Sequence, residues 1–138
     1  MGLAKRFEEL DVWQTARELA QKVYSVSNRD AFARDFGLRD QMRRAAVSIM
    51  SNIAEGFESG TRPLFIKFLR YARGSAGEVR AQFYVALDVG YISAEEFAAL
   101  TDLTEKCSRQ LTRLIKYLET HPLAVRETGI DYETNVGT

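Results

Sequence analysis

The sequence is poor in the residues that most often carry chemistry. It has one histidine, His121, and one cysteine, Cys107. A single cysteine cannot form an internal disulfide, which suits a reducing cytoplasmic setting. Di-iron sites in helical proteins need inward carboxylates and Glu-x-x-His pairs, and no such pair occurs here. Nucleophilic catalysis needs a nucleophile with a base beside it, and the sole histidine sits at a helix end next to Pro122. Gly74-Ser75-Ala76-Gly77 lies mid-helix with no preceding strand, so it is not a phosphate loop. These gaps predict a protein that is not an enzyme, with no cofactor and no metal.

Net charge is also missing: 19 basic residues balance 19 acidic ones. A domain that wraps nucleic acid without sequence preference is usually basic, so only an uneven distribution would favour such a partner. Residues 61–120 hold nine basic against seven acidic side chains, a small excess. No apolar run approaches the roughly 18 residues of a membrane span. The opening Met1–Arg6 stretch is too short and polar for a signal peptide, and Arg6 breaks the myristoylation pattern. The expectation is a cytoplasmic protein that does not enter a membrane.

What is present is helical periodicity, and one stretch dominates it. Leu38, Met42, Ala45, Ala46, Ile49, Ile53 and Phe57 recur every three or four residues as an apolar stripe. Arg44, Ser48, Asn52 and Glu55 form a second, compact polar stripe on the same segment. Small polar groups allow another backbone to approach, so this face reads as a contact surface. An ordinary amphipathic helix with a short polar face explains the spacing equally well.

Taken in order, the chain predicts four helices at about 11–27, 38–56, 63–89 and 93–120. Asp11 is placed to cap the first, and Ser27–Asp30 reads as a turn. The segment 31–36 is compatible with a short helical turn. Gly56 is placed to end the second helix, and Pro63 suits the first turn of the third. That third helix carries Phe65, Phe68, Ala72, Ala76, Val79, Phe83 and Ala86 as its stripe, and Gly90 stops it. Ser93-Ala94-Glu95-Glu96 is a capping box opening the fourth, whose stripe runs from Phe97 to Leu118. Residues 1–122 thus form one domain, and 123–138 a polar tail without a period. The fold class expected is all-α, an antiparallel up-down-up-down four-helix bundle. Its last two helices, each roughly 40 Å long, exceed what so small a core needs, and such length often serves oligomer contacts.

Two groups of residues are candidates for binding. Lys106, Arg109, Arg113 and Lys116 fall within an arc of roughly 80°, nearly opposite the leucine stripe. Lys67, Arg70 and Arg73 add a broader basic edge on the third helix. A solvated charged face is the commoner meaning of such rows; repeated around identical subunits they would form a band able to follow phosphates. The second group is Arg43, Arg44, Ser48, Asn52, Glu55, Gly74, Ser75 and Glu78. Gly74 and Gly77 each cost a helix about 1 kcal/mol against alanine, which suggests close packing against another backbone. Arg43 or Arg44 is expected near Glu78, with Ser48 and Ser75 supporting the pair.

Phe7–Gln14, Gln41–Ala45, Ser48–Gly56 and Ala72–Glu78 together resemble the 23S rRNA intervening-sequence family of four-helix-bundle proteins. The resemblance spans about residues 7–120 and implies a homopentameric ring. It also implies similarity to accessory proteins of diversity-generating retroelements, which bind nucleic acid and a reverse transcriptase. The implied partners are therefore other copies of the chain, RNA or DNA, and a nucleic-acid enzyme. On the same resemblance, the second group of residues would make packing and subunit contacts. The chain departs from the family in having Met50 where proline is common, and from the retroelement relatives in its neutral charge. The function expected is a nucleic-acid-associated accessory module, with a protein-binding scaffold lacking nucleic-acid contact as the alternative.

Overall fold

A computed structural model of the chain describes residues 4–121, 125–126 and 129–130. The described part is all-helical apart from one small pairing. A 3-10 turn at Phe7–Glu9 leads into α1 (Asp11–Ser27), α2 (Asp30–Arg34), α3 (Phe36–Glu58), α4 (Arg62–Asp88) and α5 (Ala94–Thr120). The tail expected at 123–138 lies mostly outside the described residues. Within it, Val125–Arg126 pairs antiparallel with Gly129–Ile130, a short strand contact that the aperiodic sequence did not announce.

Local signals explain most of the boundaries. Ser93 and Glu96 form the expected reciprocal capping box at the start of α5. Thr61 accepts from the Leu64 N–H, and Pro63 occupies the first turn of α4. After α4, Tyr91 N–H reaches the Ala86 carbonyl at 2.8 Å and Gly90 N–H reaches Leu87 at 3.1 Å. With Gly90 at φ +82°, this is the Schellman arrangement that satisfies the last carbonyls of a helix.

Two predicted caps are displaced. Asp11 is the first helical residue of α1, and Leu10 stands at the cap position without a side-chain bond. Gly56 does not end α3. The helix continues two residues further, to Glu58, and Gly60 takes the left-handed conformation at φ +78°. Gly56 is instead a buried close-approach site: a Cβ there would lie 2.9 Å from Phe68 Cβ and 3.3 Å from the Phe65 carbonyl. The same glycine signal thus served packing rather than termination. The start of α3 also lies two residues earlier than predicted, because the Asp35 carboxylate accepts from Leu38 N–H at 3.2 Å. Through Met50 α3 is an uninterrupted helix.

The core is one continuous cluster fed by the helices' apolar stripes. Leu19 and Val23 from α1, Met42, Ile49 and Ile53 from α3, Leu69, Val79 and Phe83 from α4, and Leu111 and Leu118 from α5 are fully buried. Helix α1 packs on α3 and α5, and α4 packs on the same two helices. Cross-helix contacts set the register: Gly56 meets Phe65 and Phe68, Ser48 meets Ser75, Arg73 meets Thr112, and Arg80 meets Glu105. The short α2 plugs one end of the molecule by burying Phe32, which stacks on Tyr91 at 4.9 Å between ring centres. Beside it Arg29 clamps Glu96 through two bonds of 2.6 and 3.0 Å. These bonds and the Ser93 N–H hold the Glu96 carboxyl down to about 2.

Candidate functional site

The cations of α5 stand where the helix geometry puts them. Burying Leu100, Cys107, Leu111, Leu114 and Leu118 turns Lys106, Arg109, Arg113 and Lys116 to the exposed side. Lys106, Arg109 and Lys116 form no ion pair among the described residues. The basic edge of α4 is different in character. Arg70 is paired with Glu119 of α5 at 2.7 Å, Arg73 donates to Thr112 Oγ1 at 3.2 Å, and Lys67 lies 5.8 Å from the centre of the Tyr71 ring. Two of these three side chains therefore lace α4 to α5.

The small polar residues of α3 meet α4 in a compact network. Ser75 Oγ donates to Ser48 Oγ at 3.0 Å, and Asn52 Nδ2 donates to the same oxygen at 2.9 Å and to the Ser48 carbonyl at 2.8 Å. Arg43 does not reach Glu78. Its Nε donates to Ser27 Oγ at 2.8 Å, and its guanidinium sits 4.5 Å from the Tyr24 ring centre, so α1 takes it instead. Arg44 is exposed, as are Glu55, Gly74 and Glu78, and no ion pair joins Arg44 to Glu78 among the described residues. A Cβ added at Gly74 or Gly77 would meet nothing within 4 Å. The helix-weakening glycines thus have no close neighbour within the described chain.

Two surface clefts were not visible in the sequence. One, about 660 Å³, lies between α1 and α3 and is bordered by Tyr24, Asp40, Arg43, Arg44, Val47 and Ser51. The other, about 600 Å³, lies between α1 and α5 and is bordered by Asp11, Gln14, Arg17, Glu18, Lys106 and Gln110. Gln110 is 2% exposed and its Oε1 has no hydrogen-bond partner. A signal for it existed, since Gln110 falls one turn after Cys107 on a stripe whose other buried members, Thr104 excepted, are apolar. Partial burial pushes the Asp11 carboxyl above its ordinary range, opposed by the charge of Lys106.

The thiol of Cys107 is buried and pushed up to about 12 by desolvation, so it is a core group rather than a nucleophile. Among the described residues no cluster of histidine, cysteine and carboxylate side chains could hold a metal ion. Among the described residues no helix is long and apolar enough to cross a membrane.

These features define an all-helical protein with two surface clefts, an exposed row of cations on α5 and no assembled catalytic constellation among the described residues. The chain belongs to the 23S rRNA-intervening sequence protein family, whose profile matches residues 8–113. Its fold is similar to that of a protein of unknown function from the S23 ribosomal protein family of Bacteroides thetaiotaomicron. That likeness has a TM-score of 0.71 at 23% identity, covering 76% of this chain and 95% of the other. No curated protein matches the chain.

Proposed function

We propose that the protein is a non-enzymatic, self-associating accessory module that binds RNA phosphates along α5. The observation that carries this reading is the row of Lys106, Arg109 and Lys116, exposed on one face of a long helix and lacking intramolecular ion pairs among the described residues. Cations held in no direct ion pair attract phosphate and release counterions on binding; Arg109 and Lys116 meet that condition most fully, because Lys106 also feels the charge of Asp11. The opposed numbering of the cross-helix pairs supports an up-down-up-down four-helix bundle as the subunit. A homopentameric ring of such subunits would multiply one cationic row into a band, so a chain of zero net charge could still follow RNA. The lone buried thiol suits the cytoplasm.

The test is RNA binding as a function of salt. Replacing Lys106, Arg109 and Lys116 together by glutamine should weaken binding and flatten the logarithmic salt dependence by about 2, at roughly 0.7 per phosphate contact on single strands. Unchanged affinity and slope would remove α5 as the binding surface.

A specific observation favours the second reading, a protein-binding scaffold. Tyr71, Tyr84 and Val85 are about half exposed on α4, on the helix that also carries the open Gly74 and Gly77. Under that reading the triple glutamine variant would retain its protein partners, and RNA would have no effect on the wild type.

A further inference from the structure

The cleft between α1 and α3 is rich in hydrogen-bond donors and poor in acceptors. Arg43 is held there before anything binds: its Nε donates to the hydroxyl of the fully buried Ser27, and its guanidinium lies against the Tyr24 ring. That tether leaves both Nη groups for other acceptors, and they enter no ion pair among the described residues. Arg44, the next residue on the helix, is exposed on the same cleft and equally unpaired. Ser48 Oγ accepts from both Ser75 and Asn52, so the bonding capacity left to it is its own hydrogen. The exposed Ser51 hydroxyl adds a further donor.

Charge points to the same kind of ligand. The one carboxylate on the cleft, Asp40, is taken by Arg39 Nε at 2.9 Å, so the lining charges that remain are the guanidiniums of Arg43 and Arg44. A carboxylate has two oxygens in one plane, and a single guanidinium fork satisfies it. Two guanidiniums set roughly 100° apart around the helix, with hydroxyls beside them, suit a tetrahedral group with three charged oxygens. A phosphate monoester is that group and carries about −1.5 to −2 at neutral pH, whereas a phosphodiester inside a strand carries a single charge. Tyr24 and Val47, 45% and 37% exposed, border the same opening and offer a surface to the ring system that a nucleotide phosphate carries.

We propose that the α1–α3 cleft binds the terminal phosphate of a nucleotide, free or at the 5′ end of an RNA strand, with Arg43 and Arg44 on its oxygens and the nucleoside against Tyr24. The site is separate from the cationic row. Helices α1 and α4 each pack on both α3 and α5, which places Arg44 and Lys116 on different sides of the bundle. The cleft therefore stands or falls independently of α5, and it confers a preference for phosphorylated ends that a row of cations following internal phosphates does not supply.

The experiment measures binding of one short single-stranded RNA carrying either a 5′-phosphate or a 5′-hydroxyl, using the full chain. The phosphorylated strand should bind at least about tenfold more tightly, the worth of one hydrogen bond to a charged group. The preference should survive replacement of Lys106, Arg109 and Lys116 by glutamine and vanish in Arg44→Gln. Arg44 forms no ion pair among the described residues, so the unfolding midpoint of that variant should match the wild type. Adenosine 5′-monophosphate that displaces the phosphorylated strand, where adenosine does not, supports a site for free nucleotides. A 5′ preference that the mononucleotide leaves untouched supports a site for RNA ends. Equal affinity for the two strands, with no binding of adenosine 5′-monophosphate, would overturn the site, and a steep salt dependence in that case would leave the α5 reading standing. A preference lost with the α5 cations and kept by Arg44→Gln would overturn it equally, by placing the terminal phosphate on α5.

Discussion

Ser75 and Asn52 donate to one and the same oxygen, Ser48 Oγ, at 3.0 and 2.9 Å. The seam between α3 and α4 is therefore closed by short side chains whose bonds are satisfied inside the subunit. Ser48→Ala leaves two partly buried donors without their acceptor, and each such bond contributes about 1 kcal/mol. Urea unfolding should show a loss of about 1–2 kcal/mol. A change below about 0.3 kcal/mol would mean that the network is ornamental to the fold.

The glycines separate packing inside the subunit from packing outside it. Gly56→Ala places a Cβ 2.9 Å from Phe68 Cβ and close to the Phe65 backbone, an overpacking that costs about 1–3 kcal/mol. Gly74→Ala and Gly77→Ala meet nothing within 4 Å, so each should stabilise the isolated subunit by about 0.5–1 kcal/mol through helix propensity alone. If these glycines admit a partner's backbone, the same substitutions lower the oligomer's mass at a fixed concentration. Thermal melts combined with sedimentation separate the two effects. A Gly74→Ala oligomer as stable as the wild type would place the subunit contact elsewhere.

Acid should loosen one end of the molecule first. The Glu96 carboxyl is held to about 2 by Arg29 and the Ser93 N–H, against an ordinary value of 4.5. Because its folded value is depressed, its contribution is complete above about 4.5 and is lost as pH falls toward about 2. Solvent screening at this largely exposed pair reduces the contribution to about 1 kcal/mol. Wild-type stability should decline between pH 5 and 2 by about that much more than stability of Glu96→Gln. Parallel pH profiles for the two proteins would contradict the assignment.

The thiol offers a simple probe of the core. Burial pushes Cys107 up to about 12, so at neutral pH the thiolate is scarce and shielded. An aromatic disulfide reagent should label it only as fast as the protein unfolds, and urea should accelerate the reaction. Immediate labelling of the native protein would contradict the placement of α5.

Most of the fold was legible because helix periodicity and caps are local. The stripes of α3, α4 and α5 predicted the buried set closely, and the Ser93–Glu96 box and Gly90 marked boundaries that the structure retains. Gly56 and Asp11 misled for a physical reason. Glycine serves both a left-handed cap and a close approach, and an acid serves both a cap and a first helical turn. Only tertiary contacts distinguish these uses. The candidate site was legible in part. Side-chain spacing placed Lys106, Arg109 and Lys116 on one face, but it could not show that Glu119 neutralises Arg70 or that Ser27 and Tyr24 hold Arg43. Those pairings join residues far apart in sequence, as does the cleft that Gln110 borders.

The central claim is that this neutral chain binds RNA as an assembled ring through α5. Light-scattering mass of the purified protein, alone and with structured RNA at low and physiological salt, tests it most directly. The account predicts a pentamer-sized particle whose mass rises with RNA and returns toward the protein-only value as salt increases. A stable oligomer indifferent to RNA at low salt would contradict the RNA reading and favour the scaffold. A monomer would contradict the assembly itself.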